Sequence, residues 1–141
     1  MSSRIFFYGL YMDSVLLESM GLQPEIIGAA KLDNYQIVIG DRATLVPAPG
    51  QISYGFLLDL TEEDASNLYS RPEVNGYVPE RVEATLLSDF SLHPALCYVL
   101  SSVKLGAATN VEYALKLSAL VTELGLPSDY AKEIARIGGA T

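Results

Sequence analysis

Apolar and polar positions alternate so as to predict strands through most of the chain and helices at its end. Ile5-Phe6-Phe7-Tyr8 is a continuous aromatic and β-branched run ended by Gly9. It reads as a buried strand that feeds a tight loop, Gly9-Leu10-Tyr11-Met12. Two strands are predicted over residues 26–30 and 35–39, joined by a turn at Leu32-Asp33-Asn34, and a third over residues 42–46. Pro47-Ala48-Pro49-Gly50 signals a loop before a strand over residues 52–60, in which Gly55 implies a bulge or a close backbone approach. Residues 81–86 alternate like a half-buried strand, residues 88–94 read as a loop carrying His93, and residues 95–100 as a buried strand. Strands that follow one another through short turns favour antiparallel pairing and a closed or partly closed barrel.

Helix signals are local and chemical. Asp13 caps a helix expected to run through Met20, with Leu16, Leu17 and Met20 on one face and Gly21 at its end. Thr61-Glu62-Glu63-Asp64 has the form of a capping box, and Ala65, Leu68 and Tyr69 follow at helical spacing. That helix stops before Pro72, which lacks an N–H and pushes its predecessor toward extended geometry. Asn75-Gly76 then reads as a turn, so Glu73 stands between a helix end and a turn, where its carboxylate can be aimed into a cleft. Asn110 caps a further helix with an apolar stripe at Tyr113, Leu117, Leu120 and Leu124, stopped by Gly125 ahead of Pro127. A last helix starts at Ser128, with Asp129 in its first turn, Arg136 in its last and Gly138-Gly139 at its end, and residues 138–141 are expected to fray. These helices, from about 110 to 137, read as structural.

With 141 residues, half of them hydrophobic, one domain over residues 1–141 with a single core is expected. A formal charge of −8 with scattered lysines and arginines argues against nucleic acid as a partner. Cys97 lies in an apolar run and reads as core, and with a single histidine in the chain no zinc-type cluster is available. No cofactor or metal is expected. The absence of a signal-like leader and of a long apolar segment points to a cytoplasmic protein that does not enter a membrane. The monomer is the favoured state.

The strand, glycine loop and helix at the start gather backbone N–H groups near one point, where a carboxylate could sit, or they form a plain turn. Glu73 is the best acid–base candidate, set against the default of a solvated loop acid. Tyr77 either hydrogen-bonds within the site or packs its ring on the core.

The order of these motifs resembles the γ-glutamylcyclotransferase-like family, which includes the AIG2-like proteins of plants. Tyr8-Gly9-Leu10-Tyr11-Met12-Asp13 lies where that family carries Tyr-Gly-Ser-Asn-Met or Tyr-Gly-Thr-Leu. Arg42-Ala43-Thr44-Leu45-Val46-Pro47 with Gly50, then Tyr54-Gly55-Phe56-Leu57, is similar to a second landmark; Leu68, Glu73, Tyr77, Arg81 and Val82 follow the order of a third. Gly125-Leu126-Pro127 with Tyr130 is like the terminal helices of some members. Two departures stand out: Leu10 and Tyr11 replace the Ser-Asn pair, and Glu73 lies one residue further from Leu68 than the family spacing.

The resemblance implies an α+β fold, a small mixed and mainly antiparallel β-barrel flanked by helices, with a cavity between the Tyr-Gly loop and a catalytic glutamate. It implies an enzyme that closes 5-oxoproline from a γ-glutamyl compound and releases an amine, with Glu73 as acid–base and Tyr8, Gly9, Leu10, Tyr11, Met12 and Tyr77 around the substrate. A model glutamate titrates near ~4.3, so such a site should raise its basicity by partial burial. The alternative is a non-catalytic module that holds a small carboxylate or amine ligand on the same fold, suggested by the apolar Leu10 and Tyr11.

Overall fold

The computed structural model describes residues 2–74, 76–100 and 109–137, with Glu73 described by its main chain alone. Strand β1 (Ser2–Phe7) buries Ile5, Phe6 and Phe7 in succession. Both of its faces are covered, one by the barrel core and the other by helix α2 (Glu62–Tyr69), so an unbroken apolar run suits it better than alternation. β2 (Glu25–Ile39) and β3 (Ala43–Thr61) form one long antiparallel hairpin, and β4 (Val78–Leu86) pairs antiparallel with β5 (Leu92–Val99). The strand order β1-β3-β2-β4-β5 closes on itself where Ile5 of β1 meets Leu96 of β5 in parallel. The result is the mixed, mainly antiparallel barrel that the family resemblance implies, and it agrees with the antiparallel pairing read from the strand order.

Two predicted breaks are absent. Leu32-Asp33-Asn34 is not a turn between strands but an irregularity inside β2, with Asn34 in the left-handed region at φ 67°. Pro47–Gly50 is likewise not a loop. β3 runs through it, with Pro47 opposite Tyr35 and Ile52 opposite Asp33. The turn-forming residues on both strands are spent on one paired bulge, stitched by Asn34 Oδ1 accepting from the Gly50 N–H at 3.0 Å and by Ser53 Oγ donating to the Tyr35 carbonyl at 2.9 Å. The chain reverses instead at residues 40–42.

Gly55 does mark a close backbone approach. A Cβ there would lie 2.0 Å from the carbonyl oxygen of Phe7, so β1 can leave the sheet beside β3 only against a bare backbone. His93 and Pro94 lie within β5, not in a loop; proline is tolerated because β1 meets β5 further along, at Leu96.

The caps form as predicted. Asp13 accepts from the Val15 N–H at 3.0 Å and starts α1 (Ser14–Ser19), and Thr61 accepts from the Asp64 N–H at 3.0 Å and starts α2. The capping box is only half used, since the Asp64 carboxylate accepts from the Gln23 N–H at 3.2 Å. Asn110 accepts from the Tyr113 N–H at 3.0 Å and starts α3 (Val111–Glu123). Gly125, at φ 80°, ends it, with the Leu126 N–H reaching back to the Val121 carbonyl at 3.1 Å. α4 (Ser128–Ile137) returns along α3, and Ser118 Oγ donates to the Ala131 carbonyl at 2.7 Å between them. Asn75, the Gly138-Gly139 stop and the expected fraying over residues 138–141 lie outside the described residues. Among the described residues no helix is long and apolar enough to cross a membrane.

Candidate functional site

Where β1 leaves the barrel, a cavity of about 490 Å³ is walled by Tyr8, Gly9, Leu10 and Tyr11 on one side and by Tyr69, Arg71, Val74 and Tyr77 on another. The first wall is a 3-10 turn, Leu10–Met12, whose start is closed by the Met12 N–H donating to the Gly9 carbonyl at 3.1 Å. Tyr8 is buried, and its hydroxyl donates to the Tyr98 carbonyl at 2.6 Å, tying the loop to β5. Burial pushes the Tyr8 phenol well above its ordinary value, so it stays protonated at neutral pH. Met12 turns into the core instead of walling the cavity.

Gly9 has a specific steric role. A Cβ on it would stand 2.7 Å from the hydroxyl of Tyr113, which arrives from the first turn of α3. Burial raises the Tyr113 phenol, and the nearby Leu10 amide acts in the opposite sense. Tyr113 was expected only as part of a structural stripe, yet it forms part of the cavity wall.

The second wall begins where α2 ends. Pro72–Val74 forms a single 3-10 turn, the Val74 N–H donates to the Arg71 carbonyl at 3.2 Å, and the Tyr77 N–H donates to the Val74 carbonyl at 3.3 Å. Glu73 sits on this turn between the cavity-lining Arg71 and Val74, and its side chain lies outside the described residues. Tyr69 stacks on Tyr98 with ring centroids 3.6 Å apart and planes 7° from parallel. The Tyr77 hydroxyl donates to the Ala43 carbonyl, and the Arg42 guanidinium lies over its ring at 5.3 Å. Burial raises the Tyr77 phenol to about 12, with the Arg42 charge pulling the other way. Its hydroxyl is thus engaged with the main chain while its ring faces the cavity.

Arg42, Tyr98 and Tyr113 are among the wall residues that sequence reasoning did not assign to the site. They come from the hairpin turn, β5 and α3, and only the closed topology brings them together. Asn110 couples two of these elements. Besides capping α3, it donates from its backbone to the Gly40 carbonyl at 2.7 Å and from Nδ2 to the Asp41 carbonyl at 3.3 Å, gripping the turn that carries Arg42.

The other residues considered for chemistry lie elsewhere. Cys97 is wholly buried and its thiol is raised by desolvation, which suits a core position. His93 joins a polar strip away from the cavity. Arg4 pairs with Asp59 at 2.9 Å and donates to His93 Nδ1 at 3.0 Å, so Nε2 carries the proton toward Ser91 Oγ at 2.8 Å. Ser91 in turn donates to Asp89 at 2.6 Å. Nδ1 thus faces a guanidinium and Nε2 is a donor, the reverse of what a serine nucleophile requires. Among the described residues no group of histidine, cysteine and carboxylate side chains could hold a metal ion.

No family model matches the sequence, and no curated protein matches it significantly. Solved structures do match in fold. One named γ-glutamyl cyclotransferase superposes with a TM-score of 0.78 at 15% identity, over 95% of this chain and 86% of that one. A γ-glutamyl cyclotransferase from yeast described as specific to glutathione gives 0.58 at 16% identity, over 98% and 96%. An AIG2-like protein from Mus musculus gives 0.57 at 15% identity, over 72% and 78%. At such identities the likeness speaks for architecture, and it agrees with the closed barrel, its flanking helices and the order of elements: the chain has the γ-glutamylcyclotransferase-like fold shared with AIG2-like proteins.

Proposed function

We propose that this protein is a cyclotransferase acting on a γ-glutamyl compound, with Glu73 as its acid–base residue. The observation that carries the reading is that one cavity is walled by both the Tyr8–Tyr11 loop and the turn on which Glu73 sits. In the reaction, the Glu73 carboxylate takes a proton from the substrate α-ammonium, and the freed amine attacks its own γ-carbonyl carbon. The tetrahedral intermediate collapses with cleavage of the bond to the leaving nitrogen, to which Glu73 returns the first proton; the ring nitrogen, which still carries two hydrogens after the attack, gives up one of them, and that proton ends on the released amine as its ammonium. The products are 5-oxoproline and an amine, and no enzyme nucleophile is consumed.

The Gly9 and Leu10 main chain would anchor the substrate carboxylate or the developing oxyanion; where one oxyanion donor has been removed elsewhere the loss is about 3 to 4 kcal/mol. The raised phenols of Tyr8 and Tyr77 stay protonated through neutral pH, so they cannot serve as the base, and their hydroxyls already donate to the Tyr98 and Ala43 carbonyls. That leaves the carboxylate as the group that exchanges protons.

The test is an assay of 5-oxoproline release from γ-glutamyl amino acids and γ-glutamyl amines with wild type and Glu73→Gln. The expected result is release by the wild type and a loss of about 10²- to 10⁴-fold in the variant, the usual range for removing an acid–base group. Full turnover by Glu73→Gln sinks the assigned role. The apolar Leu10 and Tyr11 on the wall favour a second reading, a binding module without chemistry. Ligand binding with no release by the wild type would select it.

A further inference from the structure

We infer that Asn110 fixes the spacing of the two cavity walls and is thereby a positioning residue for the reaction proposed above. Its effect on rate rests on the cyclotransferase reading, whereas its effect on the walls does not.

Asn110 stands just before α3, and each of its polar groups is engaged. Oδ1 accepts from the Tyr113 N–H at 3.0 Å and the carbonyl accepts from the Ala114 N–H at 3.1 Å, which starts the helix. The backbone N–H donates to the Gly40 carbonyl at 2.7 Å, and Nδ2 donates to the Asp41 carbonyl at 3.3 Å. Serine, threonine and aspartate also cap helices well, but none of them has an amide nitrogen that can reach outward while the oxygen caps. The second arm is what asparagine adds to an ordinary cap.

Each arm leads to one wall. On the helix side, the Tyr113 hydroxyl stands 2.7 Å from where a Gly9 Cβ would lie, so the start of α3 backs the loop after β1. On the hairpin side, the Gly40 N–H donates to the Arg42 carbonyl at 2.9 Å and closes the turn. The next residue, Ala43, receives the Tyr77 hydroxyl, and the Arg42 guanidinium lies 5.3 Å above the Tyr77 ring. The Tyr77 N–H donates to the Val74 carbonyl at 3.3 Å, at the end of the turn that carries Glu73. A continuous path thus runs from Gly9 through Tyr113, Asn110, residues 40–43 and Tyr77 to Val74, and its middle link does not line the cavity.

The walls are also joined through Tyr98, which receives the Tyr8 hydroxyl on its carbonyl and stacks on Tyr69. One tie leaves a hinge; two ties set a distance. Asn110 is exposed, so its hydrogen bonds compete with water and add little to stability. Position is more sensitive, because a misplacement of about 1 Å at the reacting groups can cost about 10²-fold in rate. A substrate anchored on the Gly9 loop would still bind after the tie is cut, but the turn carrying Glu73 would stand differently toward its amine. The loss should therefore fall on kcat and not on KM.

Asn110→Ser keeps the capping oxygen and the backbone N–H and removes the Nδ2 arm. Asn110→Asp does the same with another cap and is the second variant, while Asn110→Ala removes cap and arm together. Two readouts are taken: kcat and KM for 5-oxoproline release, well below each unfolding midpoint, and carbon-13 spectra of tyrosine-labelled protein at neutral pH. The Tyr77 and Tyr8 resonances are assigned by their loss in the phenylalanine variants. Asn110→Ser and Asn110→Asp are expected to lower kcat at least about threefold with KM little changed, and to shift the Tyr77 resonance while that of Tyr8 stays. An unchanged kcat in an active enzyme or an unmoved Tyr77 resonance overturns the inference. So does a loss confined to Asn110→Ala, which would make Asn110 a cap and nothing more. Should the wild type release no 5-oxoproline from any γ-glutamyl amino acid or amine, the cyclotransferase reading falls, and the Tyr77 resonance alone decides whether Asn110 sets the walls.

Discussion

The two walls of the cavity are held in different ways. The wall after β1 is locked from behind, with Tyr8 and Met12 buried, its turn closed by backbone hydrogen bonds, Asp13 capping α1 and the Tyr113 hydroxyl filling the space beside Gly9. The wall that carries Glu73 also has a turn closed by backbone hydrogen bonds and is fixed at its ends by the Tyr69–Tyr98 stack and by the Tyr77 hydroxyl on the Ala43 carbonyl. Among the described residues, however, nothing buries it from behind in the same way, and Arg71 and Pro72 are exposed on it. The difference suits the division of labour proposed for them. Amides that anchor an anion act best when preorganised. A carboxylate that takes a proton from one nitrogen and returns it to another must reach two positions in turn.

The sharpest way to break the contrast is Gly9→Ala. The added methyl would stand 2.7 Å from the Tyr113 hydroxyl, and that oxygen is packed in place, so either the loop or α3 must shift. The expected cost is about 1 to 3 kcal/mol in the urea midpoint, as for other overpacked sites, accompanied by a rise in KM. Adding Tyr113→Phe should recover part of both, because it removes the clashing atom. Unchanged stability and KM in Gly9→Ala would show that the first wall is not locked.

Tyr77→Phe probes the other wall and should do less. It removes one hydrogen bond at one end of the segment, worth about 0.5 to 1.5 kcal/mol, and it leaves the ring under Arg42. The urea midpoint should fall by that amount while kcat stays within a few fold. A collapse of kcat comparable to that of Glu73→Gln would instead give the Tyr77 hydroxyl a part in the chemistry.

The smallest effect at neutral pH, and the one that ranks the walls against each other, is alkaline titration. Tyr77 is raised to about 12 and Tyr8, on the first wall, is raised well above its ordinary value, both chiefly by burial. An unfolded tyrosine titrates near ~10, so between that pH and the folded value the native state binds more protons than the unfolded one. The stability these phenols contribute is therefore whole below about pH 10 and is lost as pH rises through the folded values, with Tyr77 at about 12. Urea midpoints across this range, read beside phenolate absorbance, should fall steadily. Phenolate signal from every tyrosine near pH ~10 without unfolding would show that neither wall excludes water.

What was legible in the sequence was the chemistry of chain ends and turns. Asp13, Thr61, Asn110 and Gly125 announce helix boundaries because a cap is a contract between residues only two to five positions apart, and all of them form. The same local logic failed inside the hairpin. Asn34 and Pro47–Gly50 carry turn chemistry, but their partner is each other across the sheet, so the signal for two loops became a single bulge. His93 was misplaced for a related reason, since the penalty for Pro94 in a strand depends on which neighbour strand is present there.

Of the residues that the resemblance places around a substrate, Tyr8, Gly9, Leu10, Tyr11 and Tyr77 line the cavity, and Met12 lies in the core. The contribution of α3 was hidden because Tyr113 sits on an apolar stripe, where a ring that packs and a hydroxyl that reaches a glycine look alike. Arg42 could have been suspected as the cation at the tip of a hairpin, but only pairing of the full length of β2 and β3 puts the tip at the cavity.

The parallel contact between Ile5 and Leu96 has a consequence for how the protein is made. β1 leaves the ribosome ahead of the barrel's other strands, and it can pair with β3 once Thr61 has emerged, but its other neighbour is complete only at Val99. At about 5 to 20 residues per second a nascent chain would expose that strand edge for on the order of seconds. An apolar edge left open is a template for the wrong partner. Substitutions along the seam should therefore register first in the yield of folded protein during expression, ahead of any change in the finished molecule.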